Sequence, residues 1–152
     1  MGKYGQHDTQ AAGDMAENMR VIREAVGEQV ELCIVRPFPL QGQTDPSSQP
    51  SELSCACAWQ DMHGRLNPAS AMMMIEAVAP YRPFWVEEPC PPENVAIMHS
   101  LIANSPVPIA TGERLFSLGS FNELLNGGTS PLSIVQPDIC HAGGISGLKK
   151  IA

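Results

Sequence analysis

The chain has 152 residues, of which 43% are hydrophobic and 16% charged, with a formal net charge of −7. That length sets a prior of one domain able to bury a core, and the composition excludes a disordered chain. The acidity argues against nucleic acid or an anionic membrane as a partner, and no stretch approaches membrane-spanning length, so a cytosolic protein is expected. Five cysteines, an odd number with no C-x-x-C pair, indicate neither a disulfide framework nor a zinc ribbon.

In chain order, Met15, Met19, Ile22 and Val26 of "DMAENMRVIREAVG" recur at helical spacing. Asp14 stands where a cap is wanted, Glu17 where a capping box would place an acid, and Gly27 where the helix would end. Residues 1–13 are expected to be disordered or to link into the body formed by 14–152. "QVELCI" reads as a strand, broken off by residues 35–60, a Pro-, Ser- and Gln-rich run without periodicity. After it, Asn67 and Pro68 suit the N-cap and first position of a helix through "ASAMMMIEAVA", which Pro80 stops. "PFWVEEP" predicts a short apolar strand ending in acids, "ENVAIMHSLIA" a helix and "VPIATGE" a strand. "LGSFNELLN" predicts a helix, "LSIVQPD" a strand, and "ISGLKKIA" the start of another helix after Gly143 and Gly144. Strands alternating with helices in this way signal βαβ units on a parallel sheet.

Acids recur at one point of each unit. Asp61, Glu87 and Glu113 are spaced by 26 residues, and Asp138 follows 25 later. In a parallel (β/α) barrel all strands open their C-terminal ends on one face, so residues one unit apart become lateral neighbours there. Three clustered carboxylates repel each other unless a cation compensates, and an all-oxygen donor set suits a hard ion, most simply Mg²⁺. Any one such acid is as well explained as a helix cap or a solvated loop residue; the repeated spacing makes that the poorer account of the set. Two residues past Asp61, His63 would share its face if the strand stayed extended. Glu88, next to Glu87, should face away from it on a regular strand, with a supporting role open to it. Arg65 suits a substrate carboxylate or hydroxyl as well as a neighbouring acid. Met72, Met73 and Met74 read as helix packing, and no zinc spacing links His63, Cys90, His99 and His141.

"DMHGR", "VEEP", "ATGER" and "QPDICHAGGIS", in this order and spacing, resemble the enolase superfamily in its mandelate racemase and muconate lactonizing branch, and most closely the galactonate dehydratase-like sugar-acid dehydratases. The resemblance covers nearly all of the chain except 35–60. It implies a partial TIM-type barrel of about four strand–helix units out of about eight, with an insertion at 35–60 expected to be disordered. It also implies that Asp61, Glu87 and Glu113 ligate Mg²⁺, which would stabilise the enediolate formed when the carbon beside a substrate carboxylate loses its proton. His63 would be the general acid for a departing hydroxyl. Asp138 would orient a histidine base on a strand expected beyond Ala152. The implied substrate is a small acid sugar, and full-length relatives are expected to be homo-oligomeric. The chain alone is expected to be an inactive fragment of such a lyase; racemisation or cycloisomerisation, or a non-catalytic product of a mis-spliced gene, are the alternatives.

Removing residues 35–60 would join "QVELCI" to "DMHGRLNP" as one strand, with Cys33, Asp61 and His63 on one face and Val30, Leu32, Ile34 and Met62 on the other. A structureless stretch of that length inside a compact barrel is uncommon. Val35 has a codon beginning GT and Gln60 a codon that can be CAG, so the stretch also reads as a translated intron.

Overall fold

The computed structural model describes residues 3–28, 60–128 and 131–152, the side chains of residues 3–8, 60 and 61 excepted. Four short strands, β1 (Gln60–Asp61), β2 (Val86–Glu87), β3 (Ile109–Thr111) and β4 (Ile134–Val135), form one parallel sheet in sequential order. Helices α2 (Pro68–Val78), α3 (Val95–Asn104) and α4 (Leu118–Asn126) make the three crossovers, α1 (Lys3–Val26) precedes the sheet, and α5 (Gly144–Ile151) follows it. This is the βα alternation predicted from the apolar runs.

The helix starts have local causes. The Asn67 side chain accepts the Ser70 N–H at 3.0 Å with Pro68 at the first position, Asn94 accepts from Ile97 N at 3.1 Å, and Ser117 from Ser120 N at 3.1 Å. Each side-chain oxygen satisfies an N–H that the first helical turn leaves without a partner. Pro80 falls in a single 3₁₀ turn, Ala79–Tyr81, after α2 has ended, and Arg82 leaves that turn in a left-handed conformation with φ 51°.

α1 differs from its expectation. It begins at Lys3, runs through the boundary expected at residue 13, and holds Asp14 exposed in its interior, so Asp14 does not cap it. The reason is that the apolar stripe extends one turn further back: Ala12 is buried together with Met15 and Met19. Glu17, free of any capping duty, instead accepts two hydrogen bonds from Arg20 at 2.7 and 2.8 Å. The other end is as expected, with Gly27 at φ 76° donating to the Arg23 carbonyl at 2.9 Å. α1 packs on α2, and Arg23 bonds the Tyr81 and Arg82 carbonyls at 3.0 to 3.2 Å.

The core lies between sheet and helices. Val86 and Ile109 from the strands meet Met74, Ile75, Val78, Met98, Leu101, Phe121 and Leu124 from α2, α3 and α4, with Met62 buried beside them. Of the three consecutive methionines Met74 is buried, Met72 packs at the edge of the core and Met73 is exposed. The strand expected in "QVELCI", residues 35–59 of the insertion expected at 35–60 and the faces assigned to Val30, Leu32, Cys33 and Ile34 lie outside the described residues; Gln60, expected as the last residue of that insertion, instead opens β1 and pairs with Val86. Among the described residues no helix is long and apolar enough to cross a membrane.

Candidate functional site

All four recurring acids stand at the C-terminal end of the sheet. Asp61 closes β1 and Glu87 closes β2, and the two are direct register partners. Glu113 comes two residues after β3 ends, and Asp138 three after β4. The β3 partner of Glu87 is Ala110, so Glu113 sits further along its strand direction, carried through Gly112 at φ 128°. A Cβ at Gly112 would stand 3.0 Å from the Phe121 ring, so this bend favours glycine both for its backbone and for the close approach of α4.

Val86 points into the helix-covered core and Glu87 alternates to the opposite face of the sheet. There the Gln136 amide donates to Glu87 Oε1. Gln136 follows β4, so this contact passes over β3 and brings the Glu87 carboxylate across the strand end that leads to Glu113. Asp138 Oδ1 accepts the Cys140 N–H at 2.6 Å, and its carbonyl accepts from His141 N and Ala142 N, which fixes the turn into α5. The His141 ring donates from Nδ1 to the Glu113 carbonyl at 3.1 Å and packs at a tilt of 44° against Phe116, with centroids 5.0 Å apart.

His63 departs from the simple alternation. The strand ends at Asp61, and His63 enters a turn with φ 48°, followed by Gly64 at φ 58°. The period-2 rule that would place Asp61 and His63 on one face therefore does not extend to His63, whose side chain is exposed on the turn. Arg65 is exposed on the same turn, its N–H bonded to the Met62 carbonyl at 3.1 Å.

Three residues of this region escaped prediction or were given only a vague part. Glu88 does not continue the regular strand on which it was expected to face away from Glu87. Its φ of 39° breaks the alternation, and its carboxylate is fully buried, accepting from Arg114 Nε at 2.7 Å. Arg114 and Gln136 both lie inside motifs visible in the sequence, "ATGER" and "QPDIC". Only the pairing of distant strands reveals what they touch.

The donor chemistry of Asp61, Glu87 and Glu113 fits a hard cation: three carboxylates on neighbouring strand ends, one of them already on the face opposite the core. Among the described residues no three His, Cys, Asp or Glu side chains lie close enough together to hold one metal ion. The side chain of Asp61 is outside that set.

Residues 58–152 match the family described as enolase C-terminal domain-like. An enolase from Agrobacterium radiobacter, provisionally named a galactarate dehydratase and solved with sodium and L-malate, is 30% identical with a TM-score of 0.66, over 90% of this chain and 28% of its own. A mandelate racemase/muconate lactonizing enzyme from Jannaschia sp. CCS1 is 34% identical with a TM-score of 0.65 over the same shares. A racemase from Streptomyces coelicolor A3(2), solved with bound magnesium, has a TM-score of 0.70 at 21% identity, over 92% of this chain and 34% of its own, a likeness of fold alone. The chain thus spans roughly a third or less of the length of these structures and reproduces four consecutive units of their barrels. With that match across 58–152 and the strand-end acids in place, the chain belongs to the enolase superfamily, as part of a C-terminal domain of the mandelate racemase/muconate lactonizing type.

Proposed function

We propose that this chain carries the magnesium-binding portion of an acid-sugar dehydratase, a carbon–oxygen lyase acting on a galactonate-like aldonate. The observation that carries the reading is the direct register of Asp61 with Glu87, with Glu113 at the same end of the next strand. These three residues are the Mg²⁺ ligands. When bound, the ion supplies the fixed positive charge that a carbon acid beside a carboxylate needs before an ordinary side-chain base can deprotonate it.

The remaining residues handle protons and substrate. His63, exposed on the turn after the first ligand, protonates the departing β-hydroxyl. The carbon–oxygen bond breaks with its electron pair going to oxygen, water leaves, and the enol left behind tautomerises to a 2-keto-3-deoxy acid. Asp138 orients the histidine base of the complete protein. Its Oδ1 is held by the Cys140 N–H, which sets the carboxylate and leaves the second oxygen to receive an imidazole N–H. Arg65 contacts the substrate from the turn that bears His63. The L-malate in the Agrobacterium relative supports the substrate class, since it carries a hydroxyl beside a carboxylate as aldonates do.

Titrating the 152-residue chain with Mg²⁺ by calorimetry tests the ligand set. Saturable binding lost in Glu87→Gln is the expected result, and heats identical in the two proteins would overturn it. For the reaction, the full-length protein is assayed on a panel of aldonic acids. Formation of 2-keto-3-deoxy acids, abolished by His63→Asn, is expected; epimerisation without loss of water would instead assign a racemase.

A further inference from the structure

Each of the first two proposed ligands with a described side chain is followed at once by a residue of opposite charge to the other's follower: Glu88 after Glu87, Arg114 after Glu113. The 26-residue period that aligns the ligands therefore also aligns this pair across β2 and β3. Glu88 is fully buried, and both its oxygens are used by one residue. Oε2 accepts from Arg114 Nε at 2.7 Å, and Oε1 lies 3.4 Å from the Arg114 backbone N–H. The backbone of Glu88 reaches the other way, its carbonyl accepting the Gly64 N–H at 2.7 Å and its N–H donating to Ala110 at 2.9 Å.

Arg114 then closes the circuit. Its Nη2 is buried, without a hydrogen-bond partner among the described residues, and lies over Gly64. A Cβ on Gly64 would collide with that nitrogen and come within 3.0 Å of the Cys90 carbonyl, so position 64 is glycine for space as well as for its φ of 58°. The turns after β1, β2 and β3 are thus joined through one buried carboxylate and one guanidinium. With the carboxylate buried and the Arg114 side chain partly exposed, the pair is weak evidence for net stability, because desolvation of the carboxylate offsets much of the attraction. The Nε–H and the backbone N–H of one residue reach the two carboxylate oxygens, an arrangement suited to fixing orientation.

We infer that Glu88, Arg114 and Gly64 form a positioning clip that holds the three ligand-bearing strand ends in register for the metal. The inference rests on the ligand assignment proposed above. Glu88 and Arg114 touch neither ion nor substrate; they act through Glu87 and Glu113, their covalent neighbours, and through the turn that follows Asp61. Partners that orient metal ligands in this way commonly change affinity by about 10- to 100-fold when removed.

The test uses the ¹⁵N-labelled 152-residue chain with Mg²⁺ alone as ligand. In the wild type, the clip predicts a slowly exchanging Arg114 Nε–H resonance, assigned by its absence from Arg114→Lys and lost also in Glu88→Gln, while those of Arg20 and Arg23 are unchanged. Mg²⁺ dissociation constants should rise by about tenfold or more in Glu88→Gln and Arg114→Met. The double variant should bind no worse than the weaker single one, since both remove the same clip. Arg114→Lys should retain part of the affinity that Arg114→Met loses, and the exposed control substitution Glu17→Gln should leave Mg²⁺ affinity unchanged. Gly64→Ala perturbs the clip without changing a charge and should weaken binding in the same direction, which covers the case of a charge variant that fails to fold. Folded variants with wild-type Mg²⁺ affinity would overturn the inference, as would additive losses in the double variant. If the wild-type chain shows the arginine resonance and binds no Mg²⁺, the ligand assignment falls and the clip is reduced to a structural contact.

Discussion

Cys90 and Cys140 show how burial alone separates two chemically identical side chains. Cys90 is fully buried, and desolvation pushes its thiol up to about 11, while Cys140 is exposed at the turn before α5. At pH 8 roughly one Cys90 in a thousand is thiolate, the only form that attacks an alkylating agent. Iodoacetamide at that pH should therefore modify Cys140 well before Cys90, as read by peptide mass mapping, and denaturant should abolish the difference. Equal rates in the native chain would mean that the packing around Cys90 is wrong. Thr111 offers a complementary case. Its hydroxyl is buried with no hydrogen-bond partner among the described residues, so a same-shaped apolar side chain removes an unsatisfied group. Thr111→Val should leave the urea midpoint unchanged or raise it, with a stability change under about 2 kcal/mol; a marked loss would show that the hydroxyl has a partner. The burial of Cys90 is not legible in the sequence, where it stands among glutamates and prolines in "EEPCPPE".

At the level of elements, the helices were the most legible part of the chain. Asn67–Pro68 marked the start of α2 correctly, because an N-cap is a contact between residues three apart and needs no tertiary context. Replacing Asn67 by alanine should cost about 1 kcal/mol, measured as a lower urea midpoint at unchanged slope; an unchanged midpoint would place the start of α2 elsewhere. The start of α1 lies twelve residues before the one expected at Met15, because Asp14 resembles a cap locally, whereas the buried stripe through Ala12 decides the matter. At the strand ends the alternation rule worked for Val86 and Glu87 and failed one residue later. His63 turns to positive φ two residues after its strand and Glu88 one residue after its own, a conformation that nothing short of the next strand's hydrogen bonds imposes: Gly64 N–H to the Glu88 carbonyl, and Glu88 N–H to the Ala110 carbonyl.

On the scale of the whole molecule, four βα units hold the ligand-bearing ends on one side, and this follows from parallel strand order alone. The stretch at 35–60 separates the predicted strand "QVELCI" from the ligand it should carry. Deleting those 26 residues should raise the melting temperature and the soluble yield. It removes a loop-closure cost of about 3 kcal/mol and makes one strand continuous. A lower melting temperature would identify 35–60 as an integral part of the fold. Apolar side chains at the β4 side, including Phe116, Ile139 and Ile145, are exposed.

What the sequence determined by itself is the order of the elements and the place of the acids within them. Both depend on period and on short-range capping, and the 26-residue recurrence of Asp61, Glu87 and Glu113 survives any detail of packing. Tertiary structure alone decided that Glu88 turns inward to Arg114, that Gln136 reaches Glu87 across an intervening strand, and that Gly64 must leave room for a guanidinium. Those contacts join residues 26 to 50 positions apart in the chain, at distances set by which strands pair and in what register. Local sequence carries no energy term for such a choice; it is made only when the sheet assembles.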